Sequence, residues 1–112
     1  RLLDLGVEPF LVASSLSCVL AQRLVRLIHT ECGGRGCRGC LSSGYRGRRA
    51  IFELLCTSDP VRKLIVQQAD ASAIRTLALQ EGMRRLQDEG RLLIERGLTT
   101  ATEVQRVTVG VE

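Results

Sequence analysis

The chain has 112 residues, 45% hydrophobic and 25% charged, so it can bury an apolar core and is not an intrinsically disordered protein. Only 3% of the residues are aromatic, which argues against gripping single-stranded nucleic acid by stacking bases on aromatic rings. The net charge of +4 is concentrated in residues 23–49, which predict either a solvated basic loop or a surface for an anionic partner.

The first half of the chain predicts one helix and one β-hairpin. Residues 8–16 have helical composition, whereas residues 18–28 fit a helix or a strand equally well. Six glycines in residues 29–47 predict a long loop with tight turns, and the apolar run 50–56 has the length of a buried strand. Two apolar runs that flank a glycine-rich loop indicate an antiparallel hairpin with an elaborated tip.

The second half predicts short helices. Asp59 is a candidate N-cap with Pro60 at the first helical position, and Asp70 is a candidate cap for the next helix. A third helix is predicted over residues 83–96, and residues 100–103 form a capping box that opens the last one. The predicted class is therefore α+β, a hairpin with a cysteine-rich tip followed by a bundle of short helices.

Four potential metal ligands are clustered in the glycine-rich loop. The spacing is His29-x2-Cys32-x4-Cys37-x2-Cys40, and two pairs of nitrogen or sulfur ligands with x2 spacing are typical of a tetrahedral zinc site. Only four residues separate the pairs, so a partial site with three cysteines and a loop without metal remain alternatives. A redox role for the last pair is disfavoured, because the strand and helix of a thioredoxin-like motif do not flank it.

The other two cysteines lie in apolar runs. Cys18 and Cys56 are therefore expected to be buried as small hydrophobic residues. An odd total of five, with three so closely spaced, does not resemble the disulfide framework of a secreted protein.

No complete catalytic set is found in the sequence. The sequence lacks a phosphate-binding loop, and its single histidine, His29, excludes a Ser/His/Asp set with a second histidine. The chain is therefore not expected to carry a complete catalytic mechanism. Glu53, in an apolar run, is interpreted as a structural acid paired with an arginine or a helix. The longest apolar stretch, residues 10–21, contains three serines and is too short to span a bilayer.

Three segments of the chain resemble a known family in the same order. They read RLLDLGVEPFLVASSLSCVLAQRLVR, GCRGCLSSGYRGRRAIFELL and EGMRRLQDEGRLLIERGLTTATEVQRVT. Together they resemble the C-terminal part of the type II secretion ATPases, the general secretion pathway protein E family, which is related to the type IV pilus assembly ATPases. The start at Arg1, without Met, is consistent with a segment of a longer protein.

The resemblance implies a domain organisation. Residues 1–28 would be the end of a RecA-like P-loop ATPase core, 29–47 a zinc-binding hairpin tip, 48–57 the return strand and 58–112 a helical C-terminal subdomain. It also implies that residues 18–28 form a strand. The family's phosphate loop and the sites for ATP and Mg²⁺ would lie upstream of this chain, so the chain would not hydrolyse ATP by itself. Arg23 would either pair with an acid of the ATPase core or approach the nucleotide.

The resemblance further implies function, partners and location. The parent protein would be a cytoplasmic ATPase, peripheral to the bacterial inner membrane, that powers type II protein secretion through pseudopilus assembly. It would form a homohexamer and work with inner-membrane secretion platform proteins, without nucleic acid. This segment would supply packing, subunit contacts and a structural zinc site rather than catalytic groups. In the family's four-cysteine zinc module, Cys32, Cys37 and Cys40 match cysteine positions, whereas His29 stands where the first cysteine normally is.

Other hypotheses remain open at this stage. A type IV pilus assembly ATPase segment would share the metal-bearing hairpin. A stand-alone zinc module could use the basic residues 23–49 to bind nucleic acid or anionic lipid, and binding would then weaken steeply with salt. A degenerate gene remnant would expose apolar surface where a missing core should pack.

Overall fold

A computed structural model describes residues 2–109 of the chain. In this range two strands pair in one sheet and five α-helices and a single 3-10 turn complete the fold. The elements are α1 (Pro9–Ser15), β1 (Cys18–Ile28), the 3-10 turn (Arg38–Cys40), β2 (Tyr45–Cys56), α2 (Asp59–Val66), α3 (Ala71–Gln80), α4 (Leu86–Glu95) and α5 (Ala101–Thr108). The hairpin with short helices confirms the predicted α+β class. Within residues 2–109, every helix is too short or too polar to cross a membrane.

The chain divides into two compact units. The first contains residues 2–20 and 53–84, and the second contains residues 21–52 and 85–109. The helices that follow the hairpin are thus divided, with α2 and α3 in the first unit and α4 and α5 in the second.

The first unit is built on contacts among α1, α2 and α3. Val12 and Ala13 of α1 pack against Val61 and Ile65 of α2, and all four side chains are buried. The side chain of Arg62 reaches across this contact and donates from Nε to the carbonyl oxygen of Ala13 at 3.0 Å. Helical spacing of apolar residues therefore explains this core.

The second unit packs α4 and α5 against the hairpin. Val25 of β1 and Ile51 of β2 form one buried cluster with Leu86, Leu93 and Val104 of the two helices. The turn before α5 is tied to β1 by backbone bonds, because the N–H of Ile28 donates to the carbonyl oxygen of Leu98 at 2.8 Å. The cysteine-rich loop therefore lies at the end of a hairpin whose strands pack against α4 and α5.

Three predicted boundaries differ from the observed ones. The return strand was expected to begin at residue 48, but β2 begins at Tyr45 because the pairing continues up to the loop. The N-cap of α2 is Ser58 rather than Asp59, since the Ser58 hydroxyl accepts from the N–H of Val61 at 3.3 Å. The predicted helix 83–96 is shorter, Leu86–Glu95.

Two predicted helix caps are confirmed. The Asp70 carboxylate accepts from the N–H of Ala73 at 2.8 Å, and the Thr100 hydroxyl accepts from the N–H of Glu103 at 3.1 Å. Each bond satisfies a donor that the first turn of a helix leaves without a partner. Capping chemistry is local in sequence, which explains why it could be predicted.

Candidate metal centre

Backbone hydrogen bonding between the two ends of the loop closes the hairpin tip. The N–H of His29, directly after β1, donates to the carbonyl oxygen of Gly44, directly before β2, at 2.9 Å. Gly44 has a φ of +83°, and a Cβ there would overlap the carbonyl oxygen of Gly34. Only glycine fits this crossing of the two loop segments, and the crossing folds residues 29–44 back on themselves.

The folded loop brings the four predicted ligands together. The Sγ atoms of Cys37 and Cys32 lie 3.2 and 3.5 Å from Nδ1 of His29. The Sγ of Cys40 lies 3.7 Å from the Sγ of Cys37 and 3.8 Å from that of Cys32. All four ligand atoms lie within 4.8 Å of one another.

These distances fit a tetrahedral zinc ion. With Zn–S bonds of about 2.3 Å and Zn–N bonds of about 2.0 Å, a tetrahedron places its sulfur atoms about 3.8 Å apart and sulfur and nitrogen about 3.5 Å apart. The four separations given above lie within about 0.3 Å of this geometry, and the two remaining pairs of ligand atoms lie within 4.8 Å. A donor set of one imidazole and three thiols also binds zinc in preference to Mg²⁺ or Ca²⁺. The residues present therefore could hold the metal that the resemblance implies.

Backbone N–H groups around Cys40 favour its thiolate. The N–H groups of Gly44 and Cys37 point at its Sγ at 3.2 and 3.3 Å. Burial raises the pKa of this thiol, but the hydrogen bonds from Gly44 and Cys37 outweigh burial and lower the pKa to about 6. The thiolate is the form of cysteine that binds metal, so the fold favours the form of Cys40 that could act as a ligand.

The His29 ring is positioned for coordination through Nδ1. Its side chain is buried, and its other nitrogen, Nε2, faces a carboxylate oxygen of Glu31 at 3.8 Å. A carboxylate on the far side of a ligating imidazole helps to set its tautomer and basicity. Gly39 provides room for the ring, because a Cβ there would lie 3.1 Å from Cε1 of His29.

A second polar cluster, which the sequence did not predict, lies where α5 meets β1. The Glu103 side chain is only 1% exposed, and its two oxygens accept from the backbone N–H of Arg26 at 2.7 Å and from the Arg26 guanidinium at 3.1 Å. The guanidinium of Arg106 contacts the same carboxylate at 2.8 and 2.9 Å. Glu103 was predicted only as part of a capping box, and no local pattern indicates that it would meet Arg26, 77 positions earlier in the chain.

The cluster connects α5 to the start of β2. The Arg26 guanidinium carbon lies 4.3 Å from the centre of the Tyr45 ring, a cation–π contact. The Tyr45 hydroxyl is 2.8 Å from the hydroxyl of Thr100, the N-cap of α5. Because Tyr45 follows Gly44 in the chain, this contact also supports the cysteine-rich loop.

The expectation that Cys18 and Cys56 are buried is wrong, because both are exposed at the strand ends away from the loop. Arg23 donates to the carbonyl oxygen of Gln22 at 2.8 Å. The predicted pairing of Arg23 with an acid of the ATPase core stays a prediction. Glu53 is half-buried, and its predicted structural role also stays a prediction.

Comparison with known families gives one match over nearly the whole chain. The family model described as "Type II/IV secretion system protein" matches residues 1–106.

The chain is also similar to several curated proteins. It is 45% identical to the type II secretion system protein HxcR of Pseudomonas aeruginosa, over 96% of this chain and 25% of that protein. It is 37% identical to the type II secretion system protein E of the same organism, over 96% of this chain and 26% of that protein. The type IV pilus assembly ATPase PilB of Thermus thermophilus is 34% identical over 97% of this chain and 15% of its own length. The chain thus spans about a quarter of the first two relatives and less of the third.

Proposed function

The chain belongs to the type II/IV secretion system protein family, and from that premise we propose that it is the C-terminal segment of a cytoplasmic ATPase that powers type II protein secretion. The parent would act as a homohexamer at the inner membrane, together with secretion platform proteins. The segment itself would supply packing surface and a structural zinc site, whereas the groups that bind ATP and Mg²⁺ would lie in the rest of the parent. The four-ligand cluster in a loop with few apolar side chains is the observation that supports the structural part of this proposal.

Zinc would act here as a cross-link rather than as a catalyst. Four protein ligands fill a tetrahedral ion and leave no position for water or substrate, which is the arrangement of structural zinc sites. Residues 29–44 carry two ligands that are buried, His29 and Cys40, and two that are half-buried. A loop of this composition gains its order from metal coordination, since it buries little apolar surface of its own.

The metal proposal is tested by elemental analysis of the chain purified without added metal. We expect about one zinc per chain, with Cys32, Cys37 and Cys40 shielded from a thiol reagent and the two remaining cysteines reactive. Zinc release by a chelator should expose the three shielded thiols together. A chain without zinc, whose five thiols all react at once, would contradict the site.

The role of His29 is tested by two variants. His29→Cys should keep the bound zinc, because it restores a fourth thiolate, whereas His29→Ala should lower zinc affinity by at least about tenfold. Thr30→Ala is the matched control, since Thr30 lies in the same loop and contributes no ligand. Equal zinc affinity of His29→Ala and the original chain would show that only the cysteines hold the metal.

Assignment to secretion rather than pilus assembly is tested with chimeras. In one strain, a Pseudomonas aeruginosa strain that lacks HxcR, the segment replaces the matching part of that protein. In a second strain, the segment replaces the matching part of a type IV pilus assembly ATPase. Secretion in the first strain without pilus assembly in the second is expected. The opposite result would favour the pilus alternative. The outcome of this test does not depend on whether the segment binds zinc.

A further inference from the structure

Two thiols outside the metal centre occupy matching places on the two strands. Cys18 is the first residue of β1 and Cys56 is the last residue of β2. Both side chains are exposed, and both belong to the first compact unit. Exposed thiols at the open end of a hairpin are accessible to reagents that the shielded metal ligands would not meet.

The backbone register places these cysteines directly opposite each other. The N–H of Thr57 donates to the carbonyl oxygen of Ser17 at 3.0 Å. Ser17 directly precedes Cys18, and Thr57 directly follows Cys56. In an antiparallel sheet, a bond between two such flanking residues means that the residues next to them form a non-hydrogen-bonded pair. Cys18 and Cys56 are that pair, so their side chains project from the same face of the sheet.

Such a pair is within reach of a covalent bond. The Cα atoms of a non-hydrogen-bonded antiparallel pair lie about 4.5 Å apart, and disulfides bridge Cα separations of about 4.4–6.8 Å. The pair lies at the short end of that range, so the bond would form with little movement of the strands. An exposed cross-strand disulfide is also open to reduction, which makes it reversible rather than permanent.

We propose that Cys18 and Cys56 are a reversible disulfide site whose oxidant is a low-molecular-weight disulfide such as oxidised glutathione. One thiol loses its proton and its thiolate attacks the glutathione disulfide, which forms a mixed disulfide and releases one glutathione thiolate. The second cysteine thiolate then attacks the mixed disulfide at the protein sulfur and displaces the other glutathione. Two protein thiols are oxidised, and one glutathione disulfide is reduced to two thiols.

The disulfide would close the base of the hairpin covalently. The enclosed segment, residues 18–56, includes the whole metal-binding loop. Reducing conditions would leave the strand ends held only by hydrogen bonds, such as the one between Thr57 and Ser17. The site would thus make the integrity of the hairpin base depend on the thiol redox state of its surroundings.

The experiment equilibrates the zinc-loaded chain with mixtures of reduced and oxidised glutathione, quenches the thiols with acid and an alkylating reagent, and maps the products by mass spectrometry. Trypsin cuts after arginine and separates Cys18, in peptide 2–23, from Cys56, in peptide 50–62. The expected product is a linked pair of these peptides with the loss of two hydrogens. Cys32, Cys37 and Cys40 fall in other peptides and should stay unlinked.

Varying the total glutathione at a constant ratio of squared thiol to disulfide separates the two possible products. The fraction of an intramolecular disulfide stays constant, whereas the fraction of a mixed disulfide changes. Cys18→Ser and Cys56→Ser are the controls, and each should carry one glutathione on its remaining thiol. Mixed disulfides on both cysteines of the unaltered chain, or links that join only the three loop cysteines, would overturn the proposal.

Discussion

The environment of Glu103 differs strongly from what its position in the sequence suggests. Its carboxylate is buried, yet it accepts from a backbone N–H and from two guanidinium groups, so its charge is compensated. The hydrogen bond from Arg106 is the largest cause that lowers the pKa of Glu103, to about 2, against the opposing effect of burial. The ionised carboxylate therefore stabilises the fold at neutral pH.

Replacing Glu103 by Gln should remove this contribution. Because Arg26 and Arg106 are about half exposed and partly screened by water, we expect a loss of about 2 kcal/mol in the free energy of unfolding at pH 7. The folded pKa is below the unfolded value of 4.5, so the contribution is complete above that value and is lost as the pH falls toward 2. Denaturant unfolding of both proteins between pH 7 and pH 2 measures this difference.

The control for this prediction is Glu95→Gln, the same chemical change at an exposed position of α4. It should change the free energy of unfolding by less than about 0.5 kcal/mol at any pH. Metal loss at low pH affects all three proteins alike and cancels in the differences. A difference between the unaltered chain and Glu103→Gln that is the same at pH 7 and at pH 2 would contradict the role assigned to the ionised carboxylate.

At the scale of elements, the cysteine-rich loop depends on the close crossing at Gly44. Gly44→Ala should lower zinc affinity by about tenfold or more, because the new Cβ meets the Gly34 carbonyl and displaces the N–H that points at Cys40. Gly33→Ala is the matched control, since Gly33 also has a positive φ but has open space around it. Competition with a zinc chelator measures both affinities, and equal losses would show that backbone conformation, rather than the crossing, determines binding.

The contact between α4 and α5 also depends on a glycine. A Cβ at Gly90 of α4 would overlap the side chain of Val104 of α5. Gly90→Ala is favoured by helix propensity by about 1 kcal/mol, but overpacking of a core typically costs about 1–3 kcal/mol. We therefore expect a net destabilisation of about 1 kcal/mol in thermal or denaturant unfolding.

A double-mutant cycle checks the physical cause. In the background Val104→Ala, the space beside residue 90 is vacated, so Gly90→Ala should become neutral or stabilising. Destabilisation of equal size in both backgrounds would show that the effect of the alanine does not arise at this contact.

At the scale of the whole molecule, metal removal should act on one compact unit. The ligands all lie in the second unit, whereas α1, α2 and α3 pack in the first around their own core. After chelation we expect the amides of His29, Cys37 and Gly44 to lose protection from hydrogen exchange by at least about tenfold. Amides of α1 and α2 should exchange at unchanged rates, and equal loss in both units would contradict a local role for the metal.

Much of this architecture could be predicted because it depends on neighbours in sequence. The caps Asp70 and Thr100 act within three residues, and the ligand spacing from His29 to Cys40 spans one loop. The strand over residues 18–28 was ambiguous, since its apolar residues fit both periods. The pairing with β2 decided it, and that pairing also extended β2 back to Tyr45.

The sequence by itself determined the cluster of potential metal ligands, two of the helix caps and the family, because these depend on residue type and short spacing. Only the tertiary structure decided that Glu103 is buried against Arg26 and that Cys18 lies opposite Cys56 in exposed positions. These features join residues far apart in the chain, and such contacts follow from how the hairpin and helices pack, which no local pattern encodes.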